Sequence, residues 1–131
     1  MTRGGVVADT SVLIAFFRGK AEYVKEIAGL LEGKRLVVTG IILAELLQGM
    51  KNLKEEQRIS DLLSAISSIE LTTDLWIKAG KISLSLRRSG IDLPLTDVAI
   101  AALAMEHSLS LFTLDKHFER IPGLKLYKLP D

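Results

Sequence analysis

Hydrophobic positions along the chain follow two rhythms: short apolar runs suited to buried strands, and longer stretches with helical spacing. Val6 to Ala8 is a strand candidate ending at Asp9, and Ser11 to Arg18 follows as a short helix that Thr10 or Ser11 could cap. Ala21 to Leu31 reads as a helix with Gly33 after it. Leu36 to Thr39 has strand character and is followed by Gly40, and Ile41 to Met50 reads as a buried helix. Lys54 to Ala65 is amphipathic, with Ile59, Leu62, Leu63 and Ile66 on one stripe. Ser68 to Leu71 is a third strand candidate. From about Asp74 to Ser89, the residues Leu75, Ala79, Ile82 and Leu86 recur on one helical face, and Gly90 stops the helix. Pro94 to His107 is a second, more apolar helix. Leu111 to Thr113 reads as a strand, Lys116 to Arg120 as a helical turn and Lys125 to Tyr127 as a last strand.

Apolar strands separated by helices indicate a parallel sheet covered on both faces. Right-handed crossovers then restrict the topology to a doubly wound, three-layer α/β/α sandwich. The 131 residues fit one such domain, spanning 1–131. Chemistry in these sheets collects beyond the carboxyl ends of the strands, where the strand order reverses.

Composition narrows the chemistry. The chain has no Cys, which excludes disulfide scaffolds, Cys-ligated zinc, iron–sulfur clusters and thiol nucleophiles. His107 and His117 are the only imidazoles, so a metal would be held mainly by oxygen. No P-loop sequence is present, which disfavours nucleotide hydrolysis. The apolar start superficially resembles a signal peptide, but Asp9 interrupts it and no small-residue cleavage site follows. A cytoplasmic protein is expected. The formal net charge is +1, which argues against attachment to nucleic acid by bulk positive charge alone.

Four acids stand out. Asp9 and Asp115 follow strand candidates, Asp97 opens the helix DVAIAALAM, and Glu45 interrupts the otherwise apolar IILAELLQG. Asp9 and Asp97 could be helix caps, and Asp115 could form a turn with Lys116. Glu45 is harder to explain structurally, because a lone carboxylate among Leu43, Ala44, Leu46 and Leu47 is costly to bury. Four carboxylates converging on one sheet edge would repel each other without cations, and such a cluster suits Mg²⁺ or Mn²⁺.

On the stretches VVADTSVLIAFFRG, ILAELLQG and LTDVAIAALAMEHSLSLFTLDKHFERIPGL, which span nearly the whole chain, the sequence resembles PIN-domain ribonucleases. It is most similar to the VapC toxins of VapBC toxin–antitoxin pairs. The resemblance implies a five-stranded parallel sheet of order 3-2-1-4-5. It also implies an endoribonuclease that uses Mg²⁺ or Mn²⁺ to hydrolyse RNA phosphodiesters with metal-activated water, leaving 5′-phosphate and 3′-hydroxyl ends. Asp9, Glu45, Asp97 and Asp115 match the family's four acids in order as catalytic and metal-binding residues. Thr10 and Ser11 match the small hydroxyl residues beside the first acid, Thr113 matches a frequent hydroxyl near the fourth, and Asp92 is an extra acid nearby. A VapB-type antitoxin and a homodimer are the implied partners, with the antitoxin tail in a groove beside the site.

The remaining features carry less information. Lys78, Lys81 and Arg88 share a helical face with Arg87 close by; this reads as a solvated face, or else as contacts to RNA phosphates. Lys116 is a weaker phosphate contact, His117 reads as a surface histidine that could serve as a general acid, and His107 sits at a helix end. Phe16 and Phe17 read as core or groove, and Trp76 as packing or interface. Two other readings keep the fold: an RNA-maturation nuclease without an antitoxin, and a non-catalytic module binding RNA or protein. The charge balance also changes once the four acids are assigned to a cation pocket. The rest of the chain then carries 17 basic groups against 12 acidic ones, a balance of +5.

Overall fold

The structure, a computed structural model, describes residues 4–130. Its elements run β1 (Val6–Ala8), α1 (Thr10–Phe17), α2 (Ala21–Glu32), β2 (Leu36–Val38), α3 (Gly40–Gln48), α4 (Leu53–Leu63), β3 (Ser67–Ser68), α5 (Thr73–Arg88), α6 (Leu95–Glu106), β4 (Ser110–Phe112) and a 3₁₀ turn (Lys116–Arg120). The sheet is parallel, in the order β3-β2-β1-β4. Every residue of β1 and β2 is buried, so side chains on both faces of the sheet are covered, as the unbroken apolar runs VVA and LVV require.

Both edges of the sheet are shorter than the sequence suggests. The third strand is only Ser67–Ser68, both exposed, and Ile69 and Leu71 instead pack as half-buried side chains against the core. The fifth position is a single parallel bridge, Leu111 to Leu126. It is made by Leu111 N–H donating to Lys125 O and Tyr127 N–H donating to Leu111 O, both at 2.8 Å. Pro122 and Gly123 turn the chain just before this segment, and Pro130 follows it, which leaves little length for a full strand.

The helices take the expected places, with ends moved by a residue or two. Asn52 caps α4 by accepting from Glu55 N–H at 3.0 Å, and Thr72 caps α5 by accepting from Leu75 N–H at 3.2 Å. Gly90 ends α5 with φ +80°, a conformation that a side chain would strain. Helix α6 is buried on all sides from Val98 to Ala104, which explains its lack of amphipathic rhythm. Its alanines allow close approach to α5 and the sheet.

This topology fixes the switch point. From β1 the chain builds outward through β2 to β3, then returns to β4 on the other flank of β1. The crevice therefore opens between the carboxyl ends of β1 and β4, where Asp9 and residues 113 to 117 emerge.

Candidate metal centre

Asp9 is the residue after β1 and is 7 % exposed. It holds the N-cap position of α1 but makes no capping bond, and neither Thr10 nor Ser11 caps the helix. Their hydroxyls face carboxylates instead. Ser11 Oγ donates to Asp9 Oδ2 at 2.9 Å, and Thr113 Oγ1 donates to the same oxygen at 2.8 Å. Each hydroxyl also accepts a backbone N–H from the loop after β4: Leu114 N–H to Ser11 and Asp115 N–H to Thr113, both at 3.0 Å. The first acid and the loop carrying the fourth are thus locked together by two hydroxyls.

Thr10 Oγ1 donates to Glu45 Oε1 at 3.0 Å, bringing α3 to the same edge. Glu45 is half-buried, which answers the difficulty of a carboxylate in an apolar helix: it sits where α3 meets the crevice and is partnered by a hydroxyl. It also lines a cavity of about 240 Å³ with Ile14, Phe17, Leu46 and Met50, to which Arg18, Lys51 and Arg58 add positive charge and Glu55 a negative one. Phe17 is therefore a groove residue.

Asp97 lies in the first turn of α6, where the helix dipole favours its charge. The N-cap is Pro94, so Asp97 is not the cap. Its carboxylate meets His117 Nε2 at 2.8 Å, while His117 Nδ1 lies 2.7 Å from Asp115 Oδ1. Asp115 also accepts from His117 N–H at 3.3 Å and so caps the 3₁₀ turn, which accounts for the turn-forming character of this acid. The ring of His117 stacks on the buried Phe118, with centroids 5.0 Å apart. His117 is thus no free surface histidine; its side chain is 28 % exposed and wedged between two acids. Sequence reasoning missed this role. The available signal was the i, i+2 spacing of Asp115 and His117 on a tight turn, but only the tertiary fold brings Asp97 within reach.

Burial pushes the Asp97 pKa above its ordinary value. The hydrogen bond and charge of His117 oppose that rise, and the charges of Asp9 and Asp115 add to it. Asp97 therefore feels the charges of the other two aspartates. Asp97, Asp115 and His117 each offer a ligand atom, and these atoms lie within 4.8 Å of one another. Thr39 follows β2 in the strand row beside Asp9, and its buried Oγ1 has no hydrogen-bond partner among the described residues. Crowded carboxylates, a neighbouring imidazole and a spare buried hydroxyl fit a small divalent cation.

The other sequence candidates fall elsewhere. Asp92 pairs with Arg87 at 3.3 Å, and both are largely exposed. Lys78 pairs with Glu106 at 2.6 Å, consistent with a solvated face. Trp76 is 37 % exposed on α5.

The PIN domain family matches residues 6–124 of the chain. Ribonuclease VapC1 of Rickettsia felis is 32 % identical over 130 residues, covering 93 % of this chain and 94 % of that protein. The chain belongs to the PIN-domain family and, within it, to the VapC ribonucleases. Ribonuclease VapC of Rickettsia bellii is 29 % identical, covering 96 % of this chain and 97 % of that one. Among solved structures, DNA-bound VapBC from Salmonella typhimurium superposes with a TM-score of 0.85 at 26 % identity, covering 98 % of this chain and all of the matched one. The PIN fold accounts for the order 3-2-1-4 and for the position of the acidic crevice at its switch point.

Proposed function

We propose that this PIN domain, residues 1–131, is the toxin of a type II toxin–antitoxin pair. It cuts RNA internally, with Asp9, Glu45, Asp97 and Asp115 as its acidic pocket and Mg²⁺ or Mn²⁺ as cofactor. The observation carrying this reading is the convergence of acids at the β1/β4 crevice: Asp97 and Asp115 offer ligand atoms within 4.8 Å of each other, and Ser11 and Thr113 tie Asp9 to the loop that carries Asp115. A divalent ion held by these acids would supply Lewis acidity, lowering the pKa of water and offsetting charge on the phosphate. The protein's own contribution is positioning. Ser11 and Thr113 fix the Asp9 carboxylate, Thr10 aligns Glu45, and His117 aligns Asp97 with Asp115. Arg18, Lys51 and Arg58 around the neighbouring cavity supply positive charge for a phosphate backbone.

A VapB-type antitoxin is the proposed partner, and the apolar walls of that cavity beside Glu45 suit its tail. The Salmonella typhimurium relative is a VapBC complex, which supports this assignment. Exposed Trp76, Ile77 and Leu84 along α5 support a homodimer contact. No described helix is long and apolar enough to cross a membrane, in keeping with the proposed cytoplasmic location.

The direct test is cleavage of RNA by purified protein with Mg²⁺ or Mn²⁺. Asp9→Asn and Asp97→Asn should each lower the rate about 100-fold or more, and a chelator should abolish it. Undiminished metal-dependent cleavage by both variants would falsify the assignment.

A further inference from the structure

We propose that His117 is a nitrogen ligand of the metal and makes the site select first-row transition ions such as Mn²⁺ and Co²⁺ over Mg²⁺. The inference rests on the metal-centre reading above and deepens it.

The four acids alone would form an all-oxygen pocket with no reason to prefer a transition ion. The geometry departs from that picture. The ligand atoms that lie together within 4.8 Å are two carboxylate oxygens and an imidazole nitrogen, from Asp97, Asp115 and His117. Asp9 and Glu45 already hold hydroxyl partners, two on Asp9 Oδ2 and one on Glu45 Oε1. Both ring nitrogens of His117 lie close to carboxylates, at 2.8 and 2.7 Å, and Nε2 is hydrogen-bonded to Asp97. A cation held by these carboxylates would find Nδ1 beside Asp115 available as a ligand, while Nε2 keeps its hydrogen bond to Asp97. A ligating histidine is ordinarily held in this way. The ring needs no search to reach that position, because the stack on Phe118 and the short 3₁₀ turn hold it there.

The ligand types determine the selectivity. Mg²⁺ prefers oxygen donors and sheds its waters reluctantly, whereas affinity for imidazole nitrogen rises from Mn²⁺ to Co²⁺. One nitrogen in the set therefore strengthens binding of Mn²⁺, and of Co²⁺ still more, while adding little for Mg²⁺.

Calorimetric titration of the full chain with each ion separately should give the affinity order Mg²⁺ below Mn²⁺ below Co²⁺. His117→Gln keeps an amide that can bond a carboxylate but removes the imidazole nitrogen. It should weaken Co²⁺ binding about tenfold or more and leave Mg²⁺ within about threefold. Electron spin-echo modulation of the Mn²⁺-loaded wild type, carrying ¹⁵N-histidine, should show a directly bound nitrogen. That readout needs no variant, and His107 is the only other imidazole. Equal weakening of all three ions, or Mn²⁺ bound without nitrogen modulation, overturns the ligand role while the carboxylate centre stands. If the wild type binds none of the ions, the metal-centre reading falls, and this inference with it.

Discussion

The site has two halves held by different chemistry. On one side, Asp9 and Glu45 are gripped by the hydroxyls of Thr10, Ser11 and Thr113. On the other, Asp97 and Asp115 share one imidazole. A hydroxyl donates one hydrogen bond and carries no charge, so it positions a carboxylate without neutralising it. An imidazole can carry charge, donate from either nitrogen or ligate a metal. The first half is therefore a fixed frame, and the second is the half able to respond to a cation. Their surroundings agree with this division: Asp9 is buried at 7 % exposure, whereas the side chain of Asp115 is 44 % exposed.

The largest effect should come from undercutting the responsive half. Phe118→Ala removes a ring that is 1 % exposed and supports His117, and should destabilise the protein by about 3–5 kcal/mol in denaturant unfolding. A loss below about 1 kcal/mol would mean that the core collapses around the gap. Next comes the cation itself. At a free concentration 100 times its Kd, a bound metal should add about 2.7 kcal/mol of stability, seen as a melting shift that chelation reverses. Asp97→Asn should lose most of that shift.

Within the fixed frame, Thr113→Val deletes both the bond to Asp9 and the acceptor for Asp115 N–H, and should cost about 2 kcal/mol. Ser11 still holds Asp9 in that variant, so the loss should be well short of unfolding. A Thr113→Ser control should restore most of it.

The smallest effect is a matter of sign. Because burial raises the Asp97 pKa in the fold, the folded protein holds that proton more tightly than the unfolded chain does. Ionising Asp97 therefore works against the metal-free fold, and stability falls as pH rises from the ordinary carboxylate range through the raised pKa. Metal-free Asp97→Asn should melt about 1–2 °C above the wild type at neutral pH, a small gain because the hydrogen bond and charge of His117 offset part of the burial penalty. The gain should vanish in acid, where both forms are uncharged, and saturating metal should reverse the order. A variant that melts lower at neutral pH without metal would show that the His117 bond outweighs burial.

The sequence named all four acids and made the contacts of the frame legible, but left the link of His117 between Asp97 and Asp115 obscure. Asp9 and Thr113 follow apolar strand runs, and Ser11 is two residues from Asp9, so adjacent parallel strands were enough to bring them together. Glu45 announced itself by its apolar neighbours. The bond between His117 and Asp97 joins residues 20 apart, from a 3₁₀ turn to the head of α6, and no periodicity encodes that angle. Strand lengths were also hidden, because Ile69 and Leu71 look the same in sequence whether they pair in a ladder or simply pack. Side-chain hydroxyls in the first turn of α1 read as caps because local geometry allows it; the distant Glu45 won the competition for Thr10, and the neighbouring Asp9 carboxylate won it for Ser11.

The pairing of Ala8 with Phe112 joins strands separated by most of the chain. A protein made from its amino end exposes Asp9 early, yet Asp97, Asp115 and His117 come from its last third. Until β4 slots in beside β1, the acids are scattered along an unfinished polymer. On the proposed assignment of the acids, the chain's chemistry is tied to the completion of its own synthesis, and a truncated or stalled product would be inert without any separate inhibitor.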